Sequence, residues 1–448
     1  MATFLPYDRS QGFLLPPDLR DWIGEDDLVH FICAAVERVD IRAFKVNWRG
    51  HGKAQYHPRM MLALLIYCYA NGIFSSRRIE RATHRDVAVR YISADRHPDH
   101  DTIATFRRDN LSAFTAAFAD VLLMARELGL LKLGTVSIDG TKIDANASKI
   151  KSVRYDRAQA LRETLACDIA ALTAEAEAAD LAEVEDPQAL PAEIARRETL
   201  KAKLDEACAR LEADAQAQAE AEQAEYEERL ADWEGRKGKG RKPRPPDDAP
   251  PPARQGNLTD PDSKLMRKSN RHEFRQAYNA QAVVDADGSQ LVLTTNVAQT
   301  PGDTSTFEET ISQLSETLGQ PETVLGDAGY AGGDAVNALE AMGIEVLVPI
   351  SRPETPRPYD FRPPNPDAKP PPEPKAEWRI KMKEKLETAE AKAKYKRRKH
   401  TVEPVFGIIK NVLGFTRFSL RGIDKVKAEW LLVTLAYNCK RLTNLKAA

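Results

Sequence analysis

Apolar positions recur at helical spacing through residues 1–125. Leu28, Phe31, Ile32, Ala35 and Val36 form one stripe, and Met61, Leu64, Leu65 and Cys68 another. Segments 75–82 and 101–108 each start near a capping residue and set arginines beside apolar anchors. Residues 1–125 therefore predict an all-α N-terminal domain. The pattern then changes. Thr135 to Asp139 is a short apolar run that predicts a strand, and a polar run to Ser148 follows it. From 156 to 235 the chain is rich in Ala and Glu. Leu161, Leu165, Ile169 and Leu172 make one seam, and Leu200, Leu204, Ala207 and Leu211 make another at coiled-coil spacing. Pro187 and Pro191 separate them, so the segment predicts an inserted antiparallel helical hairpin. Residues 236–255, basic and then proline-rich, predict a flexible linker.

Strand pattern resumes at Ala277–Asp285 and Gln290–Val297, with Asp287-Gly288 between them as a hairpin signal. Asp303 reads as a cap before a helix in which Ser305 and Glu308 have capping-box spacing. A strand up to Asp327, a helix at 333–342, a strand at 345–349, a proline-rich loop at 351–374 and a basic helix at 376–399 complete the chain's predicted elements. Without the hairpin the order is three strands, then helix, strand, helix, strand, helix. That order predicts a mixed α/β sheet with helices packed against it. The pieces are then 130–155 and 256–448 as one α/β domain, interrupted by 156–235 and 236–255.

Composition adds two points. The five cysteines are scattered without a CxxC pair, which argues against a disulfide framework and a cysteine-built zinc site, and for a reducing, cytoplasmic setting. The longest apolar stretch, 60–70, is too short for a bilayer span, so no membrane is expected. The net charge of −2 hides a strong asymmetry. Residues 156–235 hold 22 acidic against 8 basic residues, whereas 375–448 hold 19 basic against 7 acidic. A basic body masked by an acidic insertion is the electrostatic footprint of a polyanion binder.

Three acidic residues carry the candidate chemistry. Asp139 and Asp327 each end an apolar run, and Glu403 stands before Pro404 where a helix is expected to open. Carboxylates on two strand ends and a nearby helix can hold two Mg²⁺ (or Mn²⁺) about 4 Å apart, the arrangement for phosphodiester chemistry. Each residue also has a plainer reading. Asp139-Gly140 could be a turn, Gly326–Gly329 a strand-to-helix junction, and Glu403 a complement to the helix dipole. Asp144 competes with Asp139, whereas Asp287 reads as a turn residue.

At these residues the chain resembles a bacterial insertion-sequence transposase of the DDE type, most closely the eleven-eighty-two group, related to the IS-four and IS-five groups. The matching stretches are 56–59, 98–103, 138–142, 260–266, 326–330 and 401–407, with a last helix at 428–438. The resemblance implies a ribonuclease H-like catalytic domain with Asp139, Asp327 and Glu403 as the metal-binding triad. It implies that Tyr395, Arg398 and Lys410 form, with Glu403, the family's Tyr-Arg-Glu-Lys signature. The interval to Glu403 is one residue longer than the signature's, so Lys399 competes with Arg398 as the basic partner. Glu403 and Lys410, seven apart, would share a helix face. The implied partners are double-stranded DNA (terminal inverted repeats and target) and a second copy of the chain on that DNA, with a nucleoid-associated location. Arg77, Arg78, Arg107 and Arg108 are the candidate DNA contacts of the helical domain, and Tyr395, Arg398, Lys399 and Lys410 those of the catalytic domain. The expected reaction is cleavage and strand transfer at element ends. The alternatives are a ribonuclease H-fold nuclease without strand transfer, a catalytically inactive or regulatory DNA-binding derivative, or a coiled-coil scaffold.

Overall fold

The structure is a computed structural model that describes residues 18–46, 54–181, 189–236, 240–267, 272–351, 374 and 376–447. The expected proline-rich loop at 351–374 lies almost wholly outside them. Among the described residues six α-helices come first: α1 (Leu28–Glu37), α2 (Pro58–Ala70), α3 (Ser76–Arg85), α4 (Val87–Ile92), α5 (His100–Asp109) and α6 (Leu111–Glu127). Their starts are capped locally. Asp27, Asp86 and Asp99 each accept a backbone N–H of the following turn, and Pro58 opens α2 where its missing N–H costs nothing. α2 is buried over nearly its whole length, which is why its sequence is apolar all round.

The sheet is built from β1 (Thr135–Asp144), β4 (Lys264–Met266), β5 (Arg275–Asp285), β6 (Val292–Ala298), β7 (Thr323–Leu325) and β8 (Glu345–Leu347), once a small ribbon of β2 (Ser152–Arg154) and β3 (Gln255–Asn257) is set aside. The spatial order is β6-β5-β1-β7-β8, with β4 on the same edge of β5 as β6. β5 is antiparallel to β1 and β6, whereas β7 and β8 run parallel to β1. This is the strand order of a ribonuclease H-like sheet. β1 is longer than its apolar run suggested. It continues through Thr141, Lys142 and Ile143 because β5 pairs with it all the way to Asp144. Asp139 therefore lies mid-strand, opposite Ala282, and not at a strand end.

The hairpin is α7 (Tyr155–Leu181) and α8 (Ala189–Gly235). Its cross-helix pairs, Arg162–Asp205 at 2.6 Å and Arg197–Asp168 at 2.8 Å, run in opposite chain directions and so establish the antiparallel arrangement. The apolar seam is strongest at the base, where Ala158, Leu165, Leu204 and Cys208 are buried with Val153. Leu200, expected in the seam, is 41% exposed. Residues 240–254 form no helix or strand before β3, and residues 237–239 of the expected linker lie outside the described residues.

α9 (Phe307–Leu318) and α10 (Gly333–Ala341) alternate with β7 and β8. The expected capping box does not form. A 3-10 turn, Thr304–Thr306, precedes α9, and Asp303 makes no side-chain cap bond. The basic segment is two helices, α11 (Glu377–Glu387) and α12 (Ala389–Gly407), broken at Thr388, whose hydroxyl caps α12 at Ala391. α13 (Ile423–Ala447) is buried from both sides. It packs on α1, α2 and α6 with one face and on β6 with the other, so the helical bundle and the sheet share one core. Its Asn438 amide bonds both the N–H and the C=O of Val292, and the Trp430 indole donates to the Gln281 carbonyl.

Candidate active site

β7 ends at Leu325, so beyond Ser137 the far edge of β1 is not covered by a strand. The parallel register, Ser137 with Leu325, carried two residues on puts Asp139 level with Asp327. Asp327 caps the 3-10 turn Ala328–Tyr330, accepting the Gly329 N–H at 2.7 Å. α12 crosses this gap against β1. Its Arg398 guanidinium lies 3.0 Å from Asp139 Oδ2 and 3.9 Å from Glu403 Oε1. One buried cation thus links two carboxylates that are far apart in sequence.

Burial pushes the Asp139 carboxyl up to about 6; Arg398 opposes the shift and the neighbouring Asp327 adds to it. Burial also lowers Lys142, against the pull of Asp303, Asp139 and Asp327. The buried Tyr330 hydroxyl is raised by desolvation and then by the same three acids. The site therefore concentrates negative charge around β1 and the 327–330 turn. Among the described residues no three His, Cys, Asp or Glu groups converge closely enough to hold one metal ion in this conformation. Arg398 stands between Asp139 and Glu403 instead.

Glu403 is not at a helix start. It lies inside α12, and Pro404 is an internal proline. A proline there cannot donate to the His400 carbonyl. Gln290 Nε2 supplies that bond instead, at 2.8 Å, and ties α12 to the β5–β6 turn. Arg397 does the same through Asp287 at 2.7 Å. Between the two candidates for the basic partner, Arg398 faces the carboxylates and Lys399 is exposed. Tyr395 is half-buried against Leu325, Leu347 and Ala391, and burial raises its hydroxyl. After Gly407 the helix widens into a π turn, Ile408–Val412. Lys410 reaches β1 from it, donating to Thr141 Oγ1 at 2.5 Å and to the Lys142 carbonyl at 2.9 Å. Asp144 is taken up by Arg275 at 3.4 Å, at the far end of β1.

The arginines of the helical bundle divide. Arg77 and Arg78 on α3 are exposed, as is Arg108, which pairs with its neighbour Asp109 at 2.8 Å. Arg107 does not fit the expected DNA contact. It is 6% exposed and donates to the Tyr69 hydroxyl at 2.8 Å and the Phe74 carbonyl at 3.0 Å. It also neutralises part of the charge of Glu429, a buried carboxylate that accepts the Ser419 and Leu420 N–H groups. Replacing Arg107 with alanine should lower the unfolding free energy by about 2–4 kcal/mol, because buried partners lose a charged donor. Urea unfolding measures that loss; an unchanged midpoint would contradict the core role.

The strand order defines a ribonuclease H-like domain. Residues 230–439 match the family model of the transposase DDE domain, and residues 17–109 match a second model, the transposase domain (DUF772). The two matches support membership of the insertion-sequence DDE transposases. The DDE match includes Asp327 and Glu403 and leaves Asp139 outside it. No curated protein and no solved structure matches the chain. Membership implies DNA as partner, phosphoryl transfer as chemistry and, in general, divalent metal ions. Among the described residues no helix is long and apolar enough to cross a membrane.

The sequence alone did not single out Asn279, Gln281 and Lys142, which surround the acidic gap. A signal was present in β5, where two amides interrupt an otherwise apolar run, Tyr278-Asn279-Ala280-Gln281-Ala282. Buried amides on one strand face require fixed partners.

Proposed function

We propose that this chain is a DNA transposase that cleaves phosphodiester bonds at the ends of its element and joins the freed 3′ end to target DNA. The observation that carries the reading is the bridge Asp139–Arg398–Glu403, with Asp327 level with Asp139 in the strand register. The donor set fits the metal ions such chemistry uses: carboxylate oxygens suit Mg²⁺ or Mn²⁺, and two of the three acids, Asp139 and Glu403, already flank one cation, the Arg398 guanidinium. Asp139, Asp327 and Glu403 would hold the pair, which when bound supplies an activated water and counter-charge for the departing 3′ oxygen. Arg398 holds the carboxylates in place. Tyr395 closes the gap on the β7 side. No Ser, Tyr or Cys nucleophile is required.

Arg77, Arg78, Arg108, Lys399 and Lys410 are proposed to meet DNA phosphates. Pairing two element ends calls for two copies of the chain on DNA. The direct test is a strand-transfer assay with end-bearing DNA and Mg²⁺. Cleaved but never joined product would favour a nuclease, and DNA binding without cleavage would favour a regulatory derivative. Lys410→Ala should weaken DNA binding and reduce the slope of log affinity against log salt by about one, the share of one phosphate contact. A slope equal to the parent's would take Lys410 off the DNA.

A further inference from the structure

Asn279 and Gln281 are buried, two residues apart on β5 and so on one face of the sheet. Both donate to the same atom: Asn279 Nδ2 lies 2.6 Å and Gln281 Nε2 3.2 Å from Asp303 Oδ1. Gln281 is fixed at its other end, where the Thr306 hydroxyl donates to its Oε1 at 2.7 Å. Two buried amides are therefore committed to holding one carboxylate. That carboxylate is not used as a helix cap.

Its position follows from two glycines. A Cβ on Gly140 would lie 2.7 Å from Asp303 Oδ1. A Cβ on Gly329 would lie 3.1 Å from Asp303 Oδ2 and 2.8 Å from Asp327 Oδ1. Asp303 is thus wedged between the residue that follows Asp139 and the turn that Asp327 caps. A methyl group at Gly140 would displace it. The loop is tied down on both sides: Lys142 Nζ donates to the Pro301 carbonyl at 2.8 Å and the Thr304 hydroxyl to the Gly329 carbonyl at 2.8 Å.

Two buried polar atoms beside this carboxylate have no hydrogen-bond partner. One is Asn279 Oδ1, 2.8 Å from the Gly140 Cβ position. A carboxylate accepts only, so the Asn279 NH₂ must face Asp303 and its oxygen is left turned to the gap. The other is the Tyr330 hydroxyl, fully buried and in the field of Asp303, Asp139 and Asp327. Orphaned buried acceptors of this kind are rare and call for a donor or a cation that is supplied from outside the chain.

We propose that Asp303 is a fourth carboxylate of the metal site, positioned by Asn279 and Gln281 and admitted by Gly140 and Gly329. The proposal rests on the triad reading above. Two divalent ions bring four positive charges, and Asp139, Asp327 and Glu403 return three negative ones. Asp303 adds a fourth, in a site that also holds the positive charge of Arg398. It approaches β1 beside Gly140, on the sheet face opposite the one that carries Asp139 and α12, so the gap at the edge of β1 is acidic from both sides.

The test is metal binding, not turnover. Full-length protein stripped with EDTA is titrated with Mn²⁺, and free Mn²⁺ is followed by electron paramagnetic resonance. The parent should take up two ions. Asp303→Asn keeps the acceptor for Asn279 and removes the charge; it should bind one of the two ions on the order of tenfold or more weakly, with an unfolding midpoint in EDTA equal to the parent's. Gly140→Ala, which retains every carboxylate, should weaken the same ion and serves if Asp303→Asn does not fold. Either variant binding both ions like the parent overturns the proposal. Asp139→Asn separates the two readings. If it binds like the parent while Asp303→Asn does not, the triad reading fails and takes the fourth-carboxylate role with it; if Asp139→Asn loses an ion and Asp303→Asn does not, only the proposal for Asp303 fails. A parent that takes up no Mn²⁺ refutes both.

Discussion

Asp139→Asn should lower Mg²⁺-dependent cleavage of end-bearing DNA by roughly 10²–10³-fold or more, the usual loss when a preorganised charged group is removed from a reacting centre. The same substitution should not lower stability. Asp139 lies on the central strand with a carboxyl that burial holds near 6, so its charge is unfavourable to the fold. Asparagine removes that charge, which offsets the loss of one of the two bonds the carboxylate accepts, from the Gly140 N–H at 2.8 Å and from Arg398 at 3.0 Å. Loss of cleavage with a retained or raised unfolding midpoint is the signature of a residue kept for function at some expense of stability. A variant that cleaves as fast as the parent removes Asp139 from the reaction.

The largest expected effect on stability is at Trp430. It is fully buried on α13, between Phe406 of α12 and Phe415, with ring centroids 6.3 Å from each. Trp430→Ala should lower the unfolding free energy by about 3–5 kcal/mol through the lost packing and the cavity left behind. Trp430→Phe retains most of the packing and loses the bond to the Gln281 carbonyl, for about 1 kcal/mol. Denaturant unfolding of the two variants measures the difference, and equal losses would show that the hydrogen bond, not the ring, dominates.

Much of the architecture was legible because it is local. The helical stripes, the Asp287-Gly288 hairpin and the strand before Asp327 follow from spacing and turn chemistry. What misled was context supplied by distant partners. β1 extends to Asp144 because β5 lies alongside it, which no feature of Gly140-Thr141-Lys142 announces. Pro404 sits inside α12 because Gln290, more than a hundred residues away in sequence, serves the carbonyl that the proline abandons. Arg107 resembles a surface arginine in a capped amphipathic segment, yet Tyr69, Phe74 and Glu429 draw it inward. Asp303 has the sequence of a cap, and its two amide partners, on a strand more than twenty residues earlier, direct it elsewhere. The proposed triad positions were named from their motifs alone, whereas the guanidinium between Asp139 and Glu403 depends on how α12 lies across the sheet.

The double-sided burial of α13 bears on how such proteins can be re-engineered. A helix that serves two layers at once makes them poor candidates for modular exchange. Grafting another helical bundle onto this scaffold would have to reproduce the surface that α1, α2 and α6 offer to α13. Otherwise the transplant would strip the cover from the same helix that braces β6 and the Gln281 backbone. Changes at exposed arginines such as Arg77 and Arg78, by contrast, would leave that helix covered.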